Sequence, residues 1–299
     1  MDRGSRLLVI GDIAWDVVMR PSADLVWASD VYGRVDLLAG GSAANVAVWA
    51  RRLGADTRLV GTVGDDPFGR LMREHLQREG LDRDLIGAPG RETTRIGVLI
   101  RPDGEHAFVT DHSDPLRLQA GDLPVSLLDD AGLVFLNGYA IFMAGSPEFA
   151  RALLHEARRR GVGVAFDPSS FSLIRKHGGR RLLEGVGRLD VLLANEEEAA
   201  ALLGVPVQAA GDDVLAPLLE FAGTVVVKRG ARGAAALTRE GWTHAPAHEV
   251  QVVDTTGAGD AFDAAFLVAH LAGLSMGEAL ARANELGARV AGRLGAQTR

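Results

Sequence analysis

Cysteine is absent from the 299 residues, which rules out a disulfide framework, a zinc–thiolate site and a thiol nucleophile. An excess of positive charge is missing too. Lys and Arg number 32 against 39 Asp and Glu, a net charge of -7, so neither nucleic acid nor an anionic membrane surface is an expected partner. No apolar run is long enough to span a bilayer; "LLEFAGTVVVK" is interrupted by Glu220 and Lys228. The opening "MDRGSRLLVIGD" has too short an apolar stretch for a signal peptide, and a cytoplasmic protein is the expectation. Several familiar signatures are also lacking: G-x-x-x-x-G-K-[ST], H-E-x-x-H, G-x-S-x-G, an EF-hand string, and a strand leading into G-x-G-x-x-G. The eight histidines are scattered without ligand spacing.

What the chain does contain is alternation. "RLLVI" (6–10), "TRLVGTV" (57–63), "GLVFLN" (132–137), "VGVAFD" (162–167), "DVLLA" (190–194) and "GTVVVK" (223–228) read as strands buried on both faces of a mostly parallel sheet. Helical patterns lie between them: 42–54, ending at a glycine; 65–80, with Pro67 in the first turn; and 146–161, with Ser146 as N-cap before Pro147. Such repetition predicts a doubly wound α/β sandwich, whose binding sites lie at the carboxyl ends of the strands. Two stretches depart from the pattern: 93–110, a hairpin around Pro102-Asp103-Gly104, and 17–38, which lacks helical periodicity. Together they form a small second sheet, either a flap packed on the core or a lid over a substrate. The expected organisation is one domain over 1–299 with lid segments at roughly 17–38 and 91–112. Exposed apolar residues on one hairpin face would favour a homodimer through the lid, because an isolated hairpin is poorly stable.

The most informative local string is "DTTGAGDAF" (254–262). "HEVQVV" (248–253) before it is strand-like and "DAFDAAFLVAHLAG" (260–273) is helical in pattern. The glycines Gly257 and Gly259 therefore fall at a helix start, where unpaired N–H groups and the helix dipole favour an anion. Asp260 there reads either as an N-cap or as a base beside a bound phosphoryl group. "AGGSAANVAVWARRLG" (39–54) is a second glycine-led start: Gly40 and Gly41 permit close approach, and Asn45 offers both a donor and an acceptor. Asp12 and Asp16 follow the first strand and share a face if that segment is extended. Two acids and an amide suit a ligand rich in hydroxyl groups. In "LANEEEAAALLG" (193–204), Asn195 and Glu198 would share a helical face, able to hold a hydrated Mg²⁺ near phosphate oxygens. "VVVKRGARGAAAL" (225–237) places Lys228, Gly230 and Gly233 at another strand end.

"GGSAANVAVWARRLG" and "DTTGAGDAFDAAFL", about 210 residues apart in this order, together resemble the two signature regions of the ribokinase-like (PfkB) sugar kinases. "NEEE" (195–198) resembles that family's N-x-x-E motif and "KRGARGA" its nucleotide-side turn. The resemblance runs from Asp12 to the helix holding Asn284. It implies a three-layer α/β/α ribokinase-like sandwich with a β-sheet lid, and ATP-dependent transfer to a hydroxymethyl group of a sugar or nucleoside. Asp260 would be the base and Gly257, Ala258 and Gly259 the anion hole. Asp12, Asp16, Gly40, Gly41 and Asn45 would bind the substrate. Asn195, Lys228, Gly230, Gly233 and Asn284 would line the ATP site, and Glu198 would act on Mg²⁺ through water. Asp254 and Thr256 match positions of a monovalent-cation site, K⁺, in some members. Where sugar-phosphate kinases often carry lysine this chain has Ser42, which argues for an unphosphorylated acceptor. "FDPSSFSLI" (166–174) lacks the arginine of the D-P-N-x-R stretch, making an acidic sugar less expected unless Arg95 compensates. Trp15, Trp27 and Phe108 could supply a slot for a nucleoside base. A non-catalytic sugar-binding protein on the same scaffold is the alternative from another class.

Overall fold

The computed structural model describes residues 4–101, 106–111, 125–144 and 147–298. The first half of the chain runs β1 (Arg6–Ile10), β2 (Ala14–Pro21), β3 (Gly33–Gly40), α1 (Ser42–Arg52), β4 (Thr57–Val60), β5 (Thr62–Gly64), α2 (Pro67–Arg78), β6 (Ile86–Ala88), β7 (Arg95–Ile100), β8 (His106–Thr110), β9 (Ala131–Asn137) and α3 (Gly138–Ala144). The second half runs α4 (Pro147–Arg159), β10 (Gly163–Asp167), α5 (Phe171–His177), α6 (Gly179–Val186), β11 (Leu189–Asn195), α7 (Glu196–Leu203), α8 (Asp212–Leu215), β12 (Ala222–Lys228), β13 (Ala234–Thr238), β14 (Gly241–Ala245), α9 (Ala258–Leu271) and α10 (Met276–Ala291).

Eight strands form the central sheet in the order β14-β13-β12-β11-β10-β9-β1-β4. The six from β12 to β4 are parallel, and β13 and β14 close one edge as antiparallel strands. The lack of in/out alternation in the strand sequences has a direct cause: both faces are covered. Leu7 and Val9 of β1 pack into one core with α1, α9 and α10, while Leu8 and Ile10 pack into the other with α4, α6 and α7. α2 begins as its sequence suggests, with Pro67 in the first turn and Asp66 accepting from the Gly69 N–H at 2.8 Å.

A second sheet, in the order β3-β2-β7-β8, stands apart from the first. Its β2–β3 part runs from Ala14 to Gly40, wider than the 17–38 boundary read from sequence, so Asp16 lies within β2. β7 and β8 form the expected hairpin pair. Its Pro102-Asp103-Gly104 turn lies outside the described residues, as do Ser146 and His112, the last residue of the expected 91–112 lid segment.

Two strand expectations need correction. "TRLVGTV" is two strands: β4 joins the central sheet, and β5 pairs with β6 in a separate ribbon. The break falls at Gly61, where a Cβ would lie 2.6 Å from Ile13 Cδ1 and 2.7 Å from the Gly11 carbonyl oxygen. "HEVQVV" forms no strand. The segment pairs with no strand among the described residues, and Val252 and Val253 remain exposed. The Gly257–Gly259 turn is therefore reached from an irregular segment rather than from a strand.

Candidate active site

The carboxyl edge of the parallel strands sets out a row of polar side chains. β9 ends at Asn137, β10 at Asp167, β11 at Asn195 and β12 at Lys228, while Asp12 follows two residues after β1. Registers across the sheet align Asn137 with Asp167, and Asn195 with Lys228. Facing this row are the N-termini of α1 and α9. One cleft of about 1660 Å³ takes in both sides, and Ile96, Phe108 and Thr110 of the second sheet also line it. Of the residues the resemblance assigns to catalysis, substrate, nucleotide or ions, all but Gly40 and Asp254 border this cleft; Trp15, Trp27 and Arg95 do not.

Asp260 does not cap its helix. The N-cap of α9 is Gly257, at φ 74°, with no side-chain cap, and Asp260 is the third helical residue. Its carboxylate instead reaches α1: Ser42 Oγ donates to Oδ1 at 2.7 Å, and Asn45 Nδ2 to Oδ2 at 2.7 Å. Enclosure of this carboxyl pushes it up to about 6; the bonds from Asn45 and Ser42 and the Lys228 charge pull the other way. Gly257 has a second constraint, since a Cβ there would fall 2.3 Å from Ala296 Cβ.

The paired glycines also have particular work. Gly41 is the N-cap of α1 at φ 91°, and a Cβ there would sit 2.7 Å from the Asp12 carbonyl oxygen. At Gly40 a Cβ would collide with the Asp16 carboxylate, at 2.4 Å. Gly40 thus makes room for a buried acid and does not line the cleft. Asp12 accepts from the N–H groups of Ser42 (3.0 Å) and Ala43 (3.1 Å) and from Asn137 Nδ2, which ties the first strand to the start of α1. Asp16, 6% exposed, is pushed up to about 7 by burial and then by Asp12, Asp260 and Asp254. Three carboxylates therefore border one region of the cleft.

Asn195 and Glu198 meet differently from the shared helical face read from sequence. Asn195 is the N-cap of α7, and the two side chains cap each other's backbone N–H at 2.8 Å each. Burial and then the Asp167 charge push Glu198 up to about 7. Lys228 Nζ donates to Asp167 at 2.5 Å and to Asp263 at 3.0 and 3.2 Å. Burial opposes the ammonium charge, but the two carboxylates outweigh it and keep Lys228 protonated. Burial also raises Asp167, yet Lys228 outweighs it and holds that carboxylate low, while Asp263 is pushed up.

Gly230 and Gly233 shape the turn from β12 into β13, at φ 55° and 82°. Asn284 Nδ2 donates to the carbonyls of Ala245 (3.2 Å) and Pro246 (2.9 Å), fixing the exit of β14. Asp254, 2% exposed, accepts from Thr256 N–H and Gly295 N–H, each at 2.9 Å. Among the described residues no group of three His, Asp or Glu side chains is placed to hold a metal, and no helix is long and apolar enough to cross a membrane.

The aromatic candidates divide. Phe108 lines the cleft; Trp15 is buried with its Nε1–H on the Phe68 carbonyl, and Trp27 is 98% exposed in the β2–β3 loop. Arg95 is held by Glu92 and Asp111, so it is not a free cation for an acidic sugar. Sequence reading missed Asn137, Asp167, Tyr139 and the role of Asp263. The first two could have been found as polar residues closing predicted strands.

The family model "pfkB family carbohydrate kinase" matches residues 5–299. An ATP-dependent ribose-1-phosphate kinase from Halopiger xanaduensis is 33% identical over 98% of this chain and 94% of its own. A fructokinase from Klebsiella pneumoniae is 33% identical over 88% and 83%. The crystal structure of adenosine kinase from Sinorhizobium meliloti superposes with a TM-score of 0.83 at 23% identity, over 99% of this chain and 96% of that one. The fold is thus the ribokinase-like sandwich.

Proposed function

Because the chain belongs to the pfkB family of carbohydrate kinases, we propose that it transfers the γ-phosphoryl group of ATP to a hydroxymethyl group of a neutral, unphosphorylated sugar or sugar-like acceptor. The observation that carries the acceptor class is charge. Asp12, Asp16 and Asp260 border the same cleft. Its described basic side chains are Lys228, already paired with Asp167 and Asp263, Arg232, paired with Glu196, and His248. A phosphorylated sugar would bring two negative charges among three carboxylates; hydroxyl groups instead donate to them. Ribose 1-phosphate, named for one relative, is disfavoured on this ground.

Asp260 accepts the proton of the attacking hydroxyl, and Ser42 and Asn45 hold its two oxygens apart and aimed. The uncapped turn Gly257–Ala258–Gly259 suits phosphoryl oxygens, since its glycines admit an anion to the first-turn N–H groups. Asn195, Lys228, Gly230, Gly233 and Asn284 form the nucleotide side. Mg²⁺ would neutralise phosphate charge there; Glu198 fits it through water, as this ion usually takes only one or two carboxylates. K⁺ beside Asp254 and Thr256 is a finer proposal, tested by activation on adding KCl. A nucleoside acceptor is the second reading, because Phe108 and Ile96 give the cleft an apolar wall. The second sheet serves as the lid of the single domain.

The base assignment sets the pH dependence. Asp260 works only when ionised, and its carboxyl titrates near 6, with Asp16 near 7. Activity is therefore lost as pH falls through about 6 and regained as it rises. A kcat/KM profile flat down to about pH 4, the ordinary aspartate range, would contradict this.

The outer face of the lid sheet carries Met19, Val35, Leu37 and Val109, all exposed, with Val35 at 70% and Val109 at 74%. A homodimer through this face would cover it. Sedimentation is expected to give a dimer that Val35→Asp weakens; a monomer at micromolar concentration argues against it.

A further inference from the structure

Behind Asp260 lies a chain of polar groups that the kinase reading has not used. Asn45 Nδ2 donates to Asp260 Oδ2 at 2.7 Å, Gln297 Nε2 donates to Asn45 Oδ1 at 2.8 Å, and His75 Nε2 stands 2.7 Å from Gln297 Oε1. The three supports come from distant parts of the chain: α1, the segment after α10, and α2. Asn45 is 4% exposed and Gln297 8%, whereas His75 reaches the partly exposed face of α2.

Each amide has one donating and one accepting end, so the sequence of bonds has a direction. An ionised Asp260 only accepts, and Asn45 must turn its Nδ2 toward it. The Asn45 carbonyl then needs a buried donor, which Gln297 Nε2 provides. That choice leaves Gln297 Oε1 facing His75, whose Nε2 completes the order as an N–H donor. Reversing any one amide would set carbonyl against carbonyl or carboxylate in an enclosed place. The segment holding Gln297 is itself pinned. Trp49 Nε1 donates to the Ala296 carbonyl at 2.8 Å, Arg52 Nη1 to the Gln297 carbonyl at 2.5 Å, and Gly295 N–H to Asp254 at 2.9 Å. Ala296 also fills the space under Gly257.

We propose that Gln297, oriented by His75, is a positioning residue for phosphoryl transfer: it decides which end of the Asn45 amide faces Asp260 and so holds the base in its working orientation. The proposal rests on Asp260 being the base. It assigns the last residues of the chain and one histidine of α2 to the reaction, although neither borders the cleft.

The test exploits direction at constant size. Gln297→Glu keeps the shape and, when ionised, only accepts, so Asn45 must turn its Nδ2 to residue 297 and present its carbonyl to Asp260. Gln297→Met keeps the volume and removes the order without reversing it. With Mg·ATP and D-fructose, D-ribose or adenosine, kcat is expected to fall about 30-fold or more for Gln297→Glu and about 10-fold for Gln297→Met. His75→Phe should resemble Gln297→Met, and His75→Gln, which retains a donor, should recover most of the loss. Thr298→Ala in the same segment should stay within about 2-fold.

A readout needing no acceptor is the carboxyl ¹³C titration of Asp260. It should move to higher pH in Gln297→Glu, because a bond to the ionised form is lost. The other groups facing that carboxyl are Asp12, Asp16, Glu198, Tyr139, Lys228 and Ser42, and these are the same in both proteins. Equal kcat in Gln297→Glu and wild type, or an unmoved titration, overturns the proposal while Asp260→Asn stays inactive. Full turnover in Asp260→Asn would remove the premise, and the proposal with it.

Discussion

Asp260→Asn is expected to lower kcat by about 10³-fold or more while ATP and acceptor bind within a few-fold of wild type. The replacement is isosteric and the surroundings accommodate it. The new carbonyl accepts from Asn45 Nδ2, and the new NH₂ donates to Ser42, whose hydroxyl can accept as well as donate. What disappears is the proton acceptor. A loss confined to kcat would mark an interaction made only in the transition state. ADP release measures the first quantity and calorimetry the second; retained turnover would take the base assignment away from Asp260.

The second large effect concerns stability. Lys228→Met removes the one cation between Asp167 and Asp263, whose side chains are 5% and 2% exposed. Breaking such a buried cluster by deleting one partner costs about 3–5 kcal/mol, because the remaining charges stay behind uncompensated. Urea unfolding should register most of this. A companion Asp167→Asn in the Lys228→Met background should restore a large part, since it removes the buried carboxylate that Lys228 holds ionised. If Lys228→Met alone changed stability by less than about 1 kcal/mol, the cluster would be acting like a surface pair. Gly259 stands near enough that a Cβ there would sit 3.6 Å from Lys228 Nζ, so this ammonium also adds positive potential to the anion turn.

Why some of this was legible and some not follows from range. The strands of the parallel sheet and the starts of α1, α2 and α9 are written in local patterns: apolar runs, a proline in the first turn, glycines with positive φ. The residues of the cleft were legible where they belonged to such strings, as at Gly41, Asn45 and Asp260. Asp260 shows the limit of a local reading. A carboxylate at a helix start reads as a cap, but only the fold reveals that Gly257 holds the cap and that the acid crosses to α1. Lys228 and Asp167 are separated by an intervening strand, β11, and no local pattern brings them together. The same applies to Gln297, which joins α1 and α2 only after the chain has closed on itself. "HEVQVV" failed for a related reason. Its composition is strand-like, but a strand also needs a pairing partner, and this segment has none among the described strands.

Transfer from [γ-³²P]ATP is the most direct test of the central claim. The panel should set neutral sugars and nucleosides against ribose 1-phosphate and fructose 6-phosphate under one set of conditions. Label entering a neutral acceptor, with kcat/KM about 100-fold or more above either sugar phosphate, is the outcome expected of a cleft lined by Asp12, Asp16 and Asp260. Preferential labelling of ribose 1-phosphate would contradict it, because Lys228 and Arg232, the described lysine and arginine of the cleft, are already paired with acids.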